Sequence, residues 1–254
     1  PKLKTHVQMV FTGAIKNQYG LIPGLRKGQY HFRLNNRDKL ADLMVDITRA
    51  SAPVLAIMDA VVGMEGEGPG GGDPRKIGVL IAGADLAAVD TVACGIIGQP
   101  ADRVPTQAAA RRQGFGETRL ENIEITGPAI SDVALCDFRL VSDLRNILGV
   151  LPLPASLLTL VSRLGAARPR IDRDACISCF ACRDGCPVDP PAIDPARRPG
   201  KEVIDSTCIR CYCCHEFCPV KAIRLKRSLL DYIVTMAERC GGAGRWLLRR
   251  IPHL

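Results

Sequence analysis

The chain has 254 residues, of which only 4% are aromatic, and a formal net charge of +8. That length suits one medium domain and one small one, and the scarcity of aromatics requires a core of Leu, Ile, Val and Ala. The longest apolar stretch, 147–161, is interrupted by Pro152 and Pro154 and is too short to cross a bilayer, so no transmembrane span is expected.

In chain order, residues 38–50 place Leu40, Leu43, Met44 and Ile47 on one helical face, and 53–62 reads as a buried strand. A glycine-rich loop follows over 64–74, then an apolar strand over 76–82. Residues 85–97 read as a helix with Asp85 as its N-cap. Residues 101–113 look helical, while 122–126 and 133–140 look like strands. This alternation predicts an α/β domain over residues 1–142, with helices packed on a sheet. A helical connector is expected over 143–169 and a small α+β two-cluster ferredoxin-like domain over 170–223. A C-terminal amphipathic helix and basic tail fill 224–254, with Leu225, Leu229, Ile233 and Met236 on one face.

The small domain is assigned by its cysteines. Eight of the twelve fall into two copies of CxxCxxCxxxCP, the first being Cys176, Cys179, Cys182, Cys186 and Pro187, the second Cys208, Cys211, Cys214, Cys218 and Pro219. Such a run supplies three thiolates to one [4Fe-4S] cluster and a fourth to its twin. One cluster is therefore expected on Cys176, Cys179, Cys182 and Cys218, and the other on Cys208, Cys211, Cys214 and Cys186. Paired CxxC units also make zinc sites, but zinc requires neither a third cysteine in register nor the following proline, twice. No signal peptide is visible at the start, which disfavours a disulfide framework. Cys213 is an extra thiol beside the second set, read as a small residue packed against the cluster. The isolated Cys94, Cys136 and Cys240 read as core or surface thiols.

Residues 1–165 carry 18 Lys and Arg against 16 Asp and Glu, and residues 166–254 carry 16 against 10. Each oxidised cluster with its four thiolates contributes roughly −2, which offsets most of the C-terminal excess. Nucleic acid is thus not an expected partner. Basic residues within 224–227 and 245–250 leave peripheral contact with a membrane surface or an acidic partner open.

Four N-terminal segments are unusual: KLKTH (2–6), TGAIKNQYG (12–20), MEGEGPGGG (64–72) and AGADLAAVD (82–90). Their glycines let backbone approach a ligand. Lys4, His6, Lys16, Lys27 and His31 favour an anionic ligand, whereas Asp59, Glu65, Glu67, Asp85 and Asp90 could hold a metal or take protons. Each also has a structural reading, Asp85 as a helix cap and the loop glutamates as solvated groups. Spacing yields no catalytic triad, Walker loop or dinucleotide fingerprint.

These segments, with Pro23, Gly24, Lys27 and His31 between them and IMDAVVGMEGEGP (57–69) after, resemble the iron-sulfur proteins of the domain of unknown function 362 family. The resemblance implies an α/β domain with a site near Lys4, His6, Lys16, Asn17, Asp59, Glu65 and Asp85, often fused to a two-cluster ferredoxin. It also implies a further α/β stretch ahead of the KLKTH segment. Since this chain opens at Pro1, an N-terminally truncated protein with an exposed sheet edge or apolar face is expected.

The resulting expectation is a cytoplasmic iron-sulfur protein that moves one electron at a time to or from a redox partner protein or small-molecule acceptor. The alternative is an oxidoreductase with its own active site in the N-terminal domain, supplied internally by the clusters. A scaffold with purely structural clusters is a third possibility.

Overall fold

The computed structural model describes residues 1–34, 36–141 and 166–226. The expected connector up to residue 165 and the expected C-terminal helix and tail from residue 227 lie outside them.

The N-terminal part is built on a mixed four-stranded sheet in the order β2-β1-β3-β4, comprising β1 (Lys2–His6), β2 (Val10–Thr12), β3 (Ala56–Glu65) and β4 (Asp73–Gly83). β1 runs parallel to β3, and the β1/β2 and β3/β4 pairs are antiparallel. Alternation along β3 buries Ala56, Met58 and Ala60 and exposes Ile57 and Val61. The inward set packs with Leu3 against helices α3 (Arg37–Ser51), α4 (Leu86–Ile96) and α5 (Pro105–Arg112) in one aliphatic core. A short α1 (Ala14–Asn17) and α2 (Gly24–Arg33) lie between β2 and α3. On the other face, Ile57 and Leu80 are 57% and 67% exposed, an apolar patch on the β3/β4 pair.

The two helices with the clearest sequence signals form as expected. α3 buries Leu40 and Met44, with Leu43 and Ile47 at its margin. Asp85 caps α4, its Oδ1 accepting from Ala87 N and Ala88 N. The loop expected over 64–74 is narrower, because β3 extends to Glu65 and β4 starts at Asp73. The strands expected over 122–126 and 133–140 do not form; the segment contains a 3-10 turn at Leu120–Asn122 and a short α6 (Ile130–Val133). Its apolar side chains Ile123, Ile130 and Val133 meet the core from irregular backbone instead.

The cysteine-rich part carries a two-stranded antiparallel sheet of β5 (Arg168–Ile171) and β6 (Ile223–Lys226), with α7 (Ala181–Asp184) and α8 (Cys213–Phe217) between them. Two expectations are corrected here. Residues 168–169 belong to a strand, not to a helical connector. Residues 224–226 are strand as well, because Ile223 and Leu225 are buried while Arg224 and Lys226 are exposed, a period of two. Ile171 and Ile223 pack with Cys182, Cys214 and Ile193 in a second small core.

Asp90 of α4 is fully buried. Its carboxylate receives the backbone N–H groups of Ala14 at 2.5 Å and Ile15 at 3.1 Å, so it anchors the start of α1. Burial pushes this carboxyl up to about 7 against those two donors. Because the folded-state value exceeds the ordinary 3.8, the native chain holds the proton more tightly than the unfolded chain. That contribution is complete below pH ~4 and is lost as pH rises through ~7. Between pH 5 and pH 8 the wild type should therefore lose on the order of 2 kcal/mol that Asp90→Asn does not lose. Denaturant titrations of both proteins at the two pH values check this, and equal pH slopes would refute it.

Candidate functional site

The two cysteine loops share one backbone device. In the first, Ser178 and Phe180 have φ of 54° and 60°; in the second, Arg210 and Tyr212 have φ of 55° and 61°. None is glycine, so both loops carry left-handed turns that other residues rarely adopt. The turns flank the middle cysteine of each triplet and curl the loop around a shared interior. α7 or α8 then leads to the fourth cysteine.

Two cavities result. One is lined by Cys176, Cys179, Cys182 and Cys218, with apolar walls including Ile171 and Ile223. The other is lined by Cys208, Cys211, Cys214 and Cys186, with walls including Val188 and Tyr212. Each thus combines three cysteines of one repeat with the last cysteine of the other. No disulfide links the cysteines of the described residues. Among those residues, no three His, Cys, Asp or Glu side chains are drawn close enough together to hold one metal ion. Burial pushes the Cys182, Cys208 and Cys214 thiols up, so a metal bound there must displace protons. Cys218 Sγ accepts the backbone N–H of Ala222 at 3.1 Å. Cys213 is buried, as a packing residue would be.

The N-terminal segments meet this module at α8. His6, at the end of β1, is 1% exposed. Its Nδ1 accepts backbone N–H groups from Gln8 at 3.1 Å and Met9 at 3.2 Å. The ring proton is therefore assigned to Nε2, which faces Glu216 Oε1 of α8 at 3.2 Å and donates to it. Burial, followed by the charge of Lys16, lowers His6 to about 4, and the ring is neutral at physiological pH. For Glu216 burial works upward, but the His6 hydrogen bond and the neighbouring positive charge hold it at about 2. With His6 neutral, that positive charge comes from Lys16. Lys16 is itself lowered, first by burial, while Glu216 pulls it back and Lys4 and Lys27 lower it further.

Around this pair stand Tyr19 and His31. Their rings meet edge-on at 5.9 Å, and Tyr19 Oη donates to the Lys27 carbonyl at 3.1 Å. The glycine loop closes another side: Gly71 lies so near the His215 ring that an added Cβ would stand 2.6 Å from it. His215 Nδ1 is 2.7 Å from the Ile223 carbonyl oxygen, and its Nε2 is 3.4 Å from that of Glu67. α8 is thereby held between β6 and the N-terminal domain.

Of the seven expected site residues, His6 and Lys16 come together beside Glu216, with Lys4 in electrostatic range of Lys16. The other four do not join them. Asn17 ends α1 with an exposed side chain. Asp59 lies on the open sheet face, paired with Lys2 at 2.7 Å, and that hydrogen bond lowers its pKa. Glu65 is buried and engaged by Arg139, through Nε at 2.8 Å and the backbone N–H at 3.1 Å. Asp85 caps α4 and also accepts the Glu117 N–H at 2.7 Å. Each carboxylate has a structural partner remote in sequence, which spacing does not reveal. Sequence reasoning missed Glu216 because it lies inside the second cysteine repeat, where the cysteines take all the attention. Its signal was the composition of that turn, HEF where the first repeat has RDG.

The described residues thus define a domain of mixed α and β content, on a mixed sheet, whose basic N-terminal motifs abut one of two four-cysteine cavities. Residues 1–95 match the family described as Domain of unknown function (DUF362), in agreement with the resemblance carried by the N-terminal segments. The chain is also similar to a thylakoid-associated protein of Synechocystis sp. (strain ATCC 27184 / PCC 6803 / Kazusa), 37% identical over 122 residues. That stretch covers 48% of this chain and 38% of the relative. No solved structure matches. Among the described residues, no helix is long and apolar enough to cross a membrane.

Proposed function

We propose that the chain is an iron-sulfur electron-transfer protein whose residues 170–223 form a ferredoxin-like domain. The observation that carries this reading is the make-up of the two cavities, each with three cysteines of one repeat and the fourth from the other. Two [4Fe-4S] clusters would supply stepwise one-electron carriage. Cys176, Cys179, Cys182 and Cys218 would hold one, and Cys208, Cys211, Cys214 and Cys186 the other. Zinc fits less well, since it requires neither the third cysteine in register nor the following proline that each repeat carries. The Ala222 N–H stabilises negative charge on Cys218.

The position of the N-terminal site favours a second reading, an oxidoreductase whose acceptor binds beside the Cys208 set. His6, Lys16 and His31 are placed around Glu216 on the helix that carries Cys214. A freely diffusing carrier has no need of such a buried polar junction. Cytoplasmic location remains part of the proposal. The name of the Synechocystis relative makes peripheral membrane contact the alternative.

Protein purified without oxygen should carry about eight iron and eight sulfide per chain, with a broad visible absorbance that dithionite bleaches. Stoichiometric zinc without that absorbance would overturn the proposal.

A further inference from the structure

The junction beside α8 contains more positive charge and more hydrogen-bonding capacity than its own residues use. Glu216 is the carboxylate that acts most on Lys16, and its Oε1 is already engaged by His6. Lys16 has no hydrogen-bond partner among the described residues, although the ammonium groups of Lys4 and Lys27 stand in electrostatic range of it. His31 is 9% exposed, yet its Nδ1 has no partner. Thr12, the cross-strand neighbour of Lys4, is 6% exposed, and its hydroxyl likewise has none. Buried polar atoms are almost always paired, so the orphaned His31 Nδ1, with the Lys16 ammonium in electrostatic range of it, calls for a missing acceptor.

We propose that this junction binds the oxyanion group of a small acceptor, a carboxylate or a phosphate, between Lys16 and His31 and next to Cys213. The inference rests on the reading that the N-terminal domain holds the acceptor. Lys16 supplies the charge. His31 supplies a directional N–H, and because no other bond fixes its tautomer the Nδ1 proton is available to the ligand. Burial of His31 makes its contact stronger than it would be at an exposed site, since water competes less.

Equilibrium dialysis of the anaerobically purified full chain against radiolabelled oxalate, and separately against inorganic phosphate, tests the site. One saturable site per chain is expected for at least one of the two, and the arm that saturates identifies the oxyanion. Lys16→Met and His31→Phe should each weaken binding about tenfold or more, Lys16→Arg should recover most of the loss, and the exposed Lys39→Met should bind as the parent does. Should Lys16→Met fail to fold, His31→Phe carries the test. Absence of saturable binding of either anion, or parental binding by both junction variants, overturns the inference. Iron content and dithionite reduction, read on the same samples, separate the two claims. A chain with both centres that binds neither anion refutes the site and leaves electron transfer standing, and a chain that binds the anion without iron does the reverse.

Discussion

Cys186→Ala should remove the iron centre held by Cys208, Cys211 and Cys214, not the one nearest to it in sequence. The mutated cysteine follows Cys182 by four residues, yet its side chain lines the other cavity, together with the second triplet. Three thiolates with the fourth corner missing hold a cluster poorly, so iron should fall from about eight to about four per chain. The surviving centre should keep the spectrum of the set that ends in Cys218. Cys218→Ala makes the reciprocal test, removing the centre of Cys176, Cys179 and Cys182. Iron analysis with electron paramagnetic resonance of the reduced variants decides the matter. If Cys186→Ala instead loses the Cys176 centre alone, the crossed assignment is wrong.

Gly13→Ala should severely destabilise the N-terminal domain. An added Cβ would lie 2.1 Å from Asp90 Oδ1 and 2.5 Å from the Phe11 ring. Neither neighbour can give way. Asp90 is a short side chain pinned by two backbone N–H groups, and Phe11 is 1% exposed in the core. The expected loss is about 3 kcal/mol or more, the upper range for overpacking in a close-packed interior. Gly20→Ala is the control, since an added Cβ there meets nothing within 4 Å. Denaturant unfolding of the two variants beside the parent checks the contrast. Equal stability of Gly13→Ala and the parent would mean that Asp90 does not seat α1 as described. The same substitution should disturb Lys16, which rides on α1, so acceptor binding should fall even in the fraction that remains folded.

The parts of the molecule that were legible in the sequence share a local cause. α3 and α4 were readable because amphipathic spacing and capping act within a few residues, and the cysteine sets because two short gaps repeat. The parts that were not legible depend on partners distant along the chain. β6 carries Leu225, which fits a helical stripe with Leu229 as well as it fits a strand, and only pairing with Arg168–Ile171 settles the matter. Asp59 and Glu65 stood out as acids near glycines, but their roles follow from Lys2 and Arg139. Asp90 read as a helix residue, while its function in the fold is to receive the N–H groups of Ala14 and Ile15. His6 and Lys16 were both among the expected site residues, and the fold brings them beside Glu216. What united them, Glu216, came from the other end of the chain.

Pairing of β5 with β6 has a consequence for how such a chain is assembled over evolutionary time. The backbone enters the cysteine-rich part along Arg168–Ile171 and leaves it along Ile223–Lys226, and these two segments are hydrogen-bonded neighbours. A unit whose entrance and exit lie side by side can be spliced into or out of a host chain without pulling the flanking segments apart. The cysteine-rich part thus has the geometry of an interchangeable cartridge. What commits it to this particular host is not the splice itself but the face of α8, where His215 meets the glycine loop and Glu216 receives His6.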